Sequence, residues 1–244
     1  MQNLTIEDVK EYVAQNIGEF HSARLAGLSS LELKKILRRK NPYLFKAKNV
    51  LTSEALVKQL LDAHLSSQEE TIFGTFLEGL AMFICEKIYG GAKSAAEGVD
   101  LEFIKDGVKY IVAVKSGPNW GNSSQISRMR DNFTKAKRIL GTNTSKTNIV
   151  AVNGCCYGRD SSPDKGDYLK YCGQTFWEFI SGDPNLYTEI IKPLGYKAME
   201  KNEQFEQQYS ILINKITSEF SKTFCPEGVI DWEKLVEFNS GSKK

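Results

Sequence analysis

The sequence predicts an α/β fold in which a central sheet is flanked by helices, with helical additions at both ends of the chain. Three observations support this fold class. Residues 99–104 mostly alternate with a period of two, and residues 110–115 divide into the two faces of a second strand, Tyr110, Val112 and Val114 on one and Ile111, Ala113 and Lys115 on the other. Residues 148–153 form a short apolar run, which is typical of a strand buried in the centre of a sheet. The segments around these strands carry apolar residues at helical spacing.

Helical segments are expected at 5–65 in three successive helices, at 68–89, at 123–140 and at 174–236. Thr5 is a suitable N-cap for the first helix and Thr52 or Ser53 for the third, because their hydroxyl groups accept hydrogen bonds from free backbone amides. Gly90 and Gly91 are expected to end the 68–89 helix. We therefore expect one domain, with an N-terminal helical region at 1–66, a core at 67–195 and a C-terminal helical region at 196–244.

The two alternating segments are predicted to form a β-hairpin. Asp106-Gly107 lies between them and is a strong signal for a two-residue turn. Gly117-Pro118 ends the second strand, because proline has no amide hydrogen to donate to a ladder. Asp100 lies near the start of the first strand and Lys115 near the end of the second. The hairpin therefore brings an acid and a lysine close together.

An acid and a lysine placed together in this way suit the hydrolysis of a phosphodiester. The substrate is an anion, so attack by hydroxide needs nearby positive charge. Mg²⁺ supplies such charge and prefers one or two carboxylates together with water and phosphate oxygens. Asp100 and the backbone carbonyl of Val114 are candidate ligands. Lys115 is a candidate for orienting or deprotonating the attacking water and for stabilising negative charge in the transition state.

The hairpin resembles the catalytic motif of the PD-(D/E)xK nuclease superfamily, and in particular that of the type II restriction endonucleases. Asp100 matches the first acid of the motif and Lys115 matches its lysine. Where the motif has a second acid, two residues before the lysine, this chain has Ala113. Val99-Asp100 also replaces the usual Pro-Asp pair. The resemblance implies a restriction-endonuclease-like core with the order helix, antiparallel hairpin, helix, strand.

Other segments extend the resemblance to roughly residues 40–190. The segment at 73–78 is similar to the helix that precedes the catalytic hairpin in many of these enzymes and supplies an extra acid, here Glu78. That carboxylate lies on an otherwise apolar helix, so it needs a partner such as a metal or Lys115. Segments 41–45, 116–125 and 173–178 resemble one subgroup of restriction enzymes.

The resemblance implies Mg²⁺-dependent, site-specific hydrolysis of double-stranded DNA that leaves 5′-phosphates. A palindromic site would require a two-fold homodimer, in which each subunit reads a half-site and cuts one strand. Asp100 would bind the metal, Lys115 would position the water, and Glu78 would assist. Because removal of one metal carboxylate is expected to cost orders of magnitude in rate, the chain with Ala113 is expected to be impaired.

Ala113 leaves three interpretations open. A Glu or Asp was replaced to stop cleavage while fold and DNA binding were preserved; or Glu78 or Glu102 supplies the missing ligand; or the chain is a naturally degenerate homologue that does not cleave. Two other functions also remain open. One is a non-enzymatic DNA-binding module, and the other is a repair or transposition nuclease that recognises DNA structure instead of sequence.

Basic and polar residues in three places are candidates for contact with DNA. Seven lysines and arginines lie within 34–48, a second basic group follows the catalytic loop, and that loop carries amide side chains able to pair with adenine. The candidates are Lys34, Lys35, Arg38, Arg39, Lys40, Ser116, Asn119, Trp120, Asn122, Ser123, Ser124, Gln125, Arg128, Arg130, Lys135 and Arg159. Each group has a structural alternative: a solvated helix face for the charges, turns and caps for the amides, the core for Trp120, and a surface loop for Arg159.

Composition sets the outer bounds. The chain has 244 residues and a formal net charge of +2, which neither requires nor excludes a nucleic-acid partner. Five cysteines and two histidines show no zinc-binding spacing, so free thiols in a reducing cytoplasm are expected. No apolar run reaches the length of a membrane span, and the first residues lack a signal-peptide pattern, so we expect a cytoplasmic protein without a membrane partner.

Overall fold

The computed structural model describes residues 4–142 and 148–242. Within them the chain forms two compact units. We call Met1–Gly18 with Phe73–Tyr196 the sheet unit, and Glu19–Ile72 with Lys197–Lys244 the helical unit. The organisation of the chain as one domain stays a prediction. Helices α1 (Ile6–Ser29) and α4 (Ser53–Tyr89) contribute residues to both units.

The sheet unit contains a five-stranded mixed sheet, so the predicted α/β fold class is confirmed. Its strands are β1 (Ala92–Lys93), β2 (Leu101–Lys105), β3 (Val108–Lys115), β4 (Ile149–Cys155) and β5 (Leu169–Cys172), in that order across the sheet. The pairs β1–β2 and β2–β3 are antiparallel, whereas β3–β4 and β4–β5 are parallel. The remaining helices of this unit are α5 (Ser123–Thr142), α6 (Gln174–Ser181), α7 (Leu186–Glu189) and α8 (Ile191–Leu194).

Helices cover both faces of this sheet. On one face, Met129 and Phe133 of α5 belong to a buried cluster with Ile111 and Ala151 of the central strands. On the other face, Phe103 stacks on Tyr89 of α4 and packs against Phe179 of α6. Strand β4 is covered on both faces, which explains why its sequence is an almost continuous apolar run.

The helical unit contains α2 (Leu33–Leu37), α3 (Pro42–Ala47), α9 (Ala198–Phe224), a short 3₁₀ turn (Pro226–Gly228) and α10 (Trp232–Ser240), together with parts of α1 and α4. Its core includes Leu56, Leu61 and Phe220, all of which are fully buried. Within residues 4–142 and 148–242, none of the helices combines the length and the apolar character that a membrane span needs.

The structure corrects three details of the sequence analysis. Four helices instead of three begin within residues 5–65, because the short helix α3 follows α2. The predicted break between a helix ending at Leu65 and one beginning at Gln68 is wrong, because α4 is continuous through this region. No Gly or Pro interrupts it there, and the Thr71 hydroxyl donates to the Ser67 carbonyl within the helix. Strands β1 and β5 were not predicted, since they are only two and four residues long and exist through pairing with their neighbours.

Candidate active site

The β2–β3 hairpin places Asp100 beside the end of β3. Asp106 and Gly107 both have positive φ angles, 51° and 75°, as the two-residue turns typical of hairpins require. This turn sets a register in which Leu101 is paired with Val112, and the Asp100 amide donates to the Val112 carbonyl at 2.9 Å. Asp100 therefore lies across from the segment that leads to Lys115.

Asp100, Val114 and Lys115 are in direct contact. The Val114 amide donates to Asp100 Oδ2 at 2.7 Å, and Lys115 Nζ lies 3.8 Å from the same oxygen. Lys115 Nζ also donates to the Val114 carbonyl at 2.9 Å. No hydrogen bond to Asp100 Oδ1 is formed by the residues of 4–142 and 148–242. A carboxylate oxygen, a backbone carbonyl and an ammonium group thus meet at one end of the hairpin.

Glu78 of α4 belongs to the same cluster. Burial raises the pKa of its carboxyl group, and the negative charge of Asp100 raises it further, while Lys115 and Lys93 act in the opposite direction. The group is half-buried. The two carboxylates are therefore close enough to repel each other, and a cation between them would relieve that repulsion.

The donor set fits a small divalent cation. In the part of the chain that the structure describes, no group of three or more His, Cys, Asp or Glu side chains is placed to hold a metal ion. What this cluster offers is two carboxylates, from Asp100 and Glu78, and the carbonyl of Val114. Mg²⁺ accepts such a set, because it completes its coordination with water and substrate phosphate oxygens.

Ala113 lies in the core of the sheet unit. Its side chain is 0 % exposed, and it belongs to the cluster that α5 covers. The Cβ of residue 113 is fully buried. An acid at this position would extend from the same face of β3 as Lys115, which lies two residues further along the strand. The alanine adds no ligand to the site.

Asn153 was not identified from the sequence, yet it connects three parts of the site. It is 1 % exposed, and its Nδ2 donates to the Ala113 carbonyl at 3.2 Å. Its Oδ1 accepts a hydrogen bond from Trp120 Nε1 at 3.1 Å. The Trp120 ring centroid in turn lies 5.3 Å from Lys115 Nζ, a cation–π distance. The only signal in the sequence was an amide residue at the end of the apolar 148–153 run.

Glu102 is paired with a different lysine. Its carboxylate lies 3.3 Å from Lys109 Nζ, and Lys109 and Lys115 are six positions apart along β3, which corresponds to about 20 Å at ~3.3 Å per residue. Of the two acids considered as replacements for the missing ligand, Glu78 is the one whose carboxyl group is influenced by the charges of Asp100 and Lys115, while Glu102 forms an ion pair with Lys109.

A comparison with family models identifies the family. The model of type II restriction endonuclease EcoO109I matches residues 7–202, which is most of the chain. The chain belongs to this family. The resemblance to type II restriction endonucleases is thus confirmed, and with it a nuclease that acts on DNA in a restriction–modification system. A search of curated proteins finds no match.

In this EcoO109I-family chain, the loop after Lys115 and helix α5 carry most of the candidate DNA contacts of the sheet unit. Asn122 and Gln125 form a reciprocal cap at the start of α5: each backbone amide donates to the other side chain, at 2.9 and 3.0 Å. Ser116 faces Gly74 of α4. Ser116 and Trp120 are half-buried, whereas the other members of this set are exposed: Asn119, Asn122, Ser123, Ser124, Gln125, Arg128, Arg130 and Lys135.

Three arginines of the sheet unit differ in their surroundings. Arg128 lies 3.2 Å from Glu97, and Arg130 lies 2.6 Å from Asp167, so two acids that the sequence analysis did not consider neutralise part of this basic surface. Arg159 is exposed and lines a cavity of about 560 Å³ at the ends of β4 and β5. Their roles toward DNA stay predictions.

The remaining candidates, Lys34, Lys35, Arg38, Arg39 and Lys40, all belong to the helical unit. Lys35 forms an ion pair with Glu32 at 2.7 Å on the exposed face of α2. The Arg38 guanidinium lies 5.6 Å from the ring centroid of Phe238. Arg39 and Lys40 instead line a pocket together with His64. The run of positive charge is therefore divided between local packing and an open surface.

Proposed function

We propose that this chain is a Mg²⁺-dependent, site-specific endodeoxyribonuclease whose cleavage is impaired by Ala113. The observation that carries the proposal is the convergence of Asp100, Lys115 and Glu78 at the end of the β2–β3 hairpin. Membership of the EcoO109I family supplies the substrate, DNA, and restriction enzymes of this kind generally use divalent metals.

Each group of the site has a distinct task in this proposal. Asp100, Glu78 and the Val114 carbonyl hold the metal ion. When bound, Mg²⁺ supplies positive charge to the scissile phosphate and lowers the pKa of water. Lys115 orients the attacking water and offsets the charge of the transition state, and its ammonium group is held by the Val114 carbonyl and by the Trp120 ring.

Impairment follows from the number of negative ligands. With Ala113, the site has two carboxylates, those of Asp100 and Glu78, to offset the charge of a divalent cation. The metal is therefore bound less firmly than in a site with three acids, and transition-state stabilisation falls.

We also propose a homodimer on DNA, because a palindromic target requires one copy of this site for each strand. The basic residues named above contact the backbone, and the polar loop after Lys115 approaches the bases. The five cysteines carry free thiols, which suits a cytoplasmic protein.

A non-cleaving DNA-binding homologue is the second candidate. The observation that favours it is the complete burial of Ala113 among apolar side chains. In that case the site would bind DNA and metal, and no substitution at position 113 alone would produce cleavage.

Specific binding of DNA is expected to survive despite Ala113, because the loss of a carboxylate also removes repulsion from the phosphates. Repeated selection of bound duplexes from a random pool, in Ca²⁺ to prevent cleavage, should enrich one palindromic sequence. A gel shift would then show tighter binding to that duplex than to a scrambled one. Equal affinity for all sequences in every divalent ion tested would contradict a site-specific enzyme.

Lys115→Ala is expected to lower the cleavage rate of the Ala113→Glu protein by at least about 10²-fold, the scale of a positioned electrostatic or proton-transfer group. The loss should fall on the single-turnover rate, with little change in DNA affinity. Lys109→Ala is the matched control, since it removes the same charge from the same strand at the end that faces Glu102. Full-rate cleavage by Lys115→Ala would show that the hairpin is not the active site.

A further inference from the structure

A pocket in the helical unit gathers basic and hydrogen-bonding side chains that the catalytic site does not use. It has a volume of about 460 Å³ and is lined by Arg39 and Lys40 from the turn after α2, and by His64, Ser67 and Gln68 from α4. No Asp or Glu is among the residues that line it. A concave surface with this composition favours an anion.

The turn that carries Arg39 and Lys40 is fixed by hydrogen bonds from helix α10. Asn239 of α10 donates through Nδ2 to the carbonyls of Leu37, at 2.6 Å, and Lys40, at 3.1 Å. These bonds satisfy carbonyl groups at the end of α2 and fix the direction of the turn. The Lys40 ammonium group also lies against α4, where it donates to the Ala63 carbonyl at 3.3 Å.

The other wall of the pocket is one face of α4. His64, Ser67 and Gln68 are spaced three and four residues apart, so their side chains lie side by side along the helix. The Gln68 amide lies against Gly27 of α1, in the space that a Cβ at that position would occupy. The wall therefore presents an imidazole, a hydroxyl and an amide toward the two basic residues.

The charge inside the pocket is uncompensated. Burial lowers the pKa of His64, and the positive charges of Lys40 and Arg39 lower it further. A bound anion would offset the charges of Lys40 and Arg39 and would therefore raise the pKa of His64. His21 provides a contrast within the same unit: it is buried, whereas His64 is half-buried, both of its ring nitrogens lack a hydrogen-bond partner among the described residues, and the nearby positive charges are those of Arg24 and Lys201.

We propose that this pocket binds a phosphate of the DNA backbone, with Arg39 and Lys40 supplying charge and with His64, Ser67 and Gln68 completing the hydrogen bonds. This assignment rests on the proposed function. Of the five basic residues predicted to contact DNA in this segment, it selects the two that line the pocket. Arg38 does not line the pocket, and its exposed guanidinium lies 5.6 Å from the ring centroid of Phe238.

The two histidines of the chain provide a direct test by proton NMR, because each gives one resolvable imidazole resonance. His64→Gln assigns them. A short duplex added in EDTA, which prevents cleavage, should shift the His64 resonance and raise the pKa of that imidazole, whereas the His21 resonance should stay in place. Inorganic phosphate is the second probe, and it should act on His64 only at much higher concentration.

Other outcomes would overturn the assignment. If the duplex binds in a gel shift but His64 does not respond, the pocket is not a backbone site and the proposed function stands. If phosphate alone shifts His64, the pocket takes a small anion instead of DNA. Equal shifts of both histidines would indicate a general change in the protein. Absence of all DNA binding by the folded protein would instead count against the proposed function.

Affinity gives an independent readout. Arg39→Ala should weaken binding of specific and random duplexes alike by about fivefold at moderate salt, and should flatten the log–log salt dependence by about one. Arg39→Lys should restore the salt slope. Lys222→Ala, which removes one charge from an exposed position of α9 in the same unit, is the control and should leave both quantities unchanged. An unaltered salt slope for Arg39→Ala would indicate that Arg39 is a solvated surface residue without a contact to the DNA backbone.

Discussion

Ala113→Glu is expected to raise the rate of Mg²⁺-dependent DNA cleavage by at least about 10²-fold, because a third carboxylate would join Asp100 and Glu78 around the metal. Position 113 lies on the same face of β3 as Lys115, so the new carboxylate would enter the existing cluster. The measurement is the rate of plasmid cleavage in Mg²⁺, and discrete fragments would also show that cutting is sequence-specific.

The buried position of residue 113 makes the controls important. A charge placed there without a partner is costly, so we expect the Ala113→Glu protein to have a lower thermal midpoint in EDTA than in Mg²⁺. Ala113→Gln has nearly the same shape without the charge and should remain as slow as the starting protein. A folded, DNA-binding Ala113→Glu protein that does not cleave would favour the non-cleaving homologue. Cleavage by the unaltered chain would instead favour Glu78 as the replacement ligand.

Asp100→Ala in the Ala113→Glu protein is expected to abolish cleavage. Asp100 is the acid in direct contact with both other elements of the site, through the Val114 amide at 2.7 Å and Lys115 Nζ at 3.8 Å. Its removal deletes the principal metal ligand and leaves Lys115 without its partner, so the metal and the water are no longer positioned. Cleavage in Mg²⁺ and in Mn²⁺ should both be lost.

Binding measurements separate a chemical defect from a folding defect. Asp100→Ala should still bind the selected duplex, but calorimetric titration with Mn²⁺ should show at least about tenfold weaker metal affinity, the scale of a lost ligand contact. Asp131→Ala is a suitable control, because it removes one exposed acid from α5 outside this cluster. Substantial cleavage by Asp100→Ala would indicate that other residues bind the metal and would contradict the proposal.

The β2–β3 hairpin shows how much the sequence by itself determined. Alternating side chains, the Asp106-Gly107 turn and the apolar 148–153 run are local signals, and each is expressed in β2, β3 and β4 where the pattern placed it. The turn alone sets the register, so the proximity of Asp100 and Lys115 could be predicted from a few neighbouring residues. The matching order of motifs was enough to identify the family.

Only the tertiary structure decided which distant groups meet these residues. Asn153 donates to the Ala113 carbonyl across 40 positions of sequence, its Oδ1 accepts from Trp120, and Arg130 is paired with Asp167. Strand β5 exists because β4 offers it an edge, and Arg39 differs from Arg38 because Arg39 lines a pocket with His64, whereas the Arg38 guanidinium lies near the Phe238 ring. Local propensity acts over a turn or two of chain, whereas packing, ion pairing and burial depend on which surfaces the whole fold brings together.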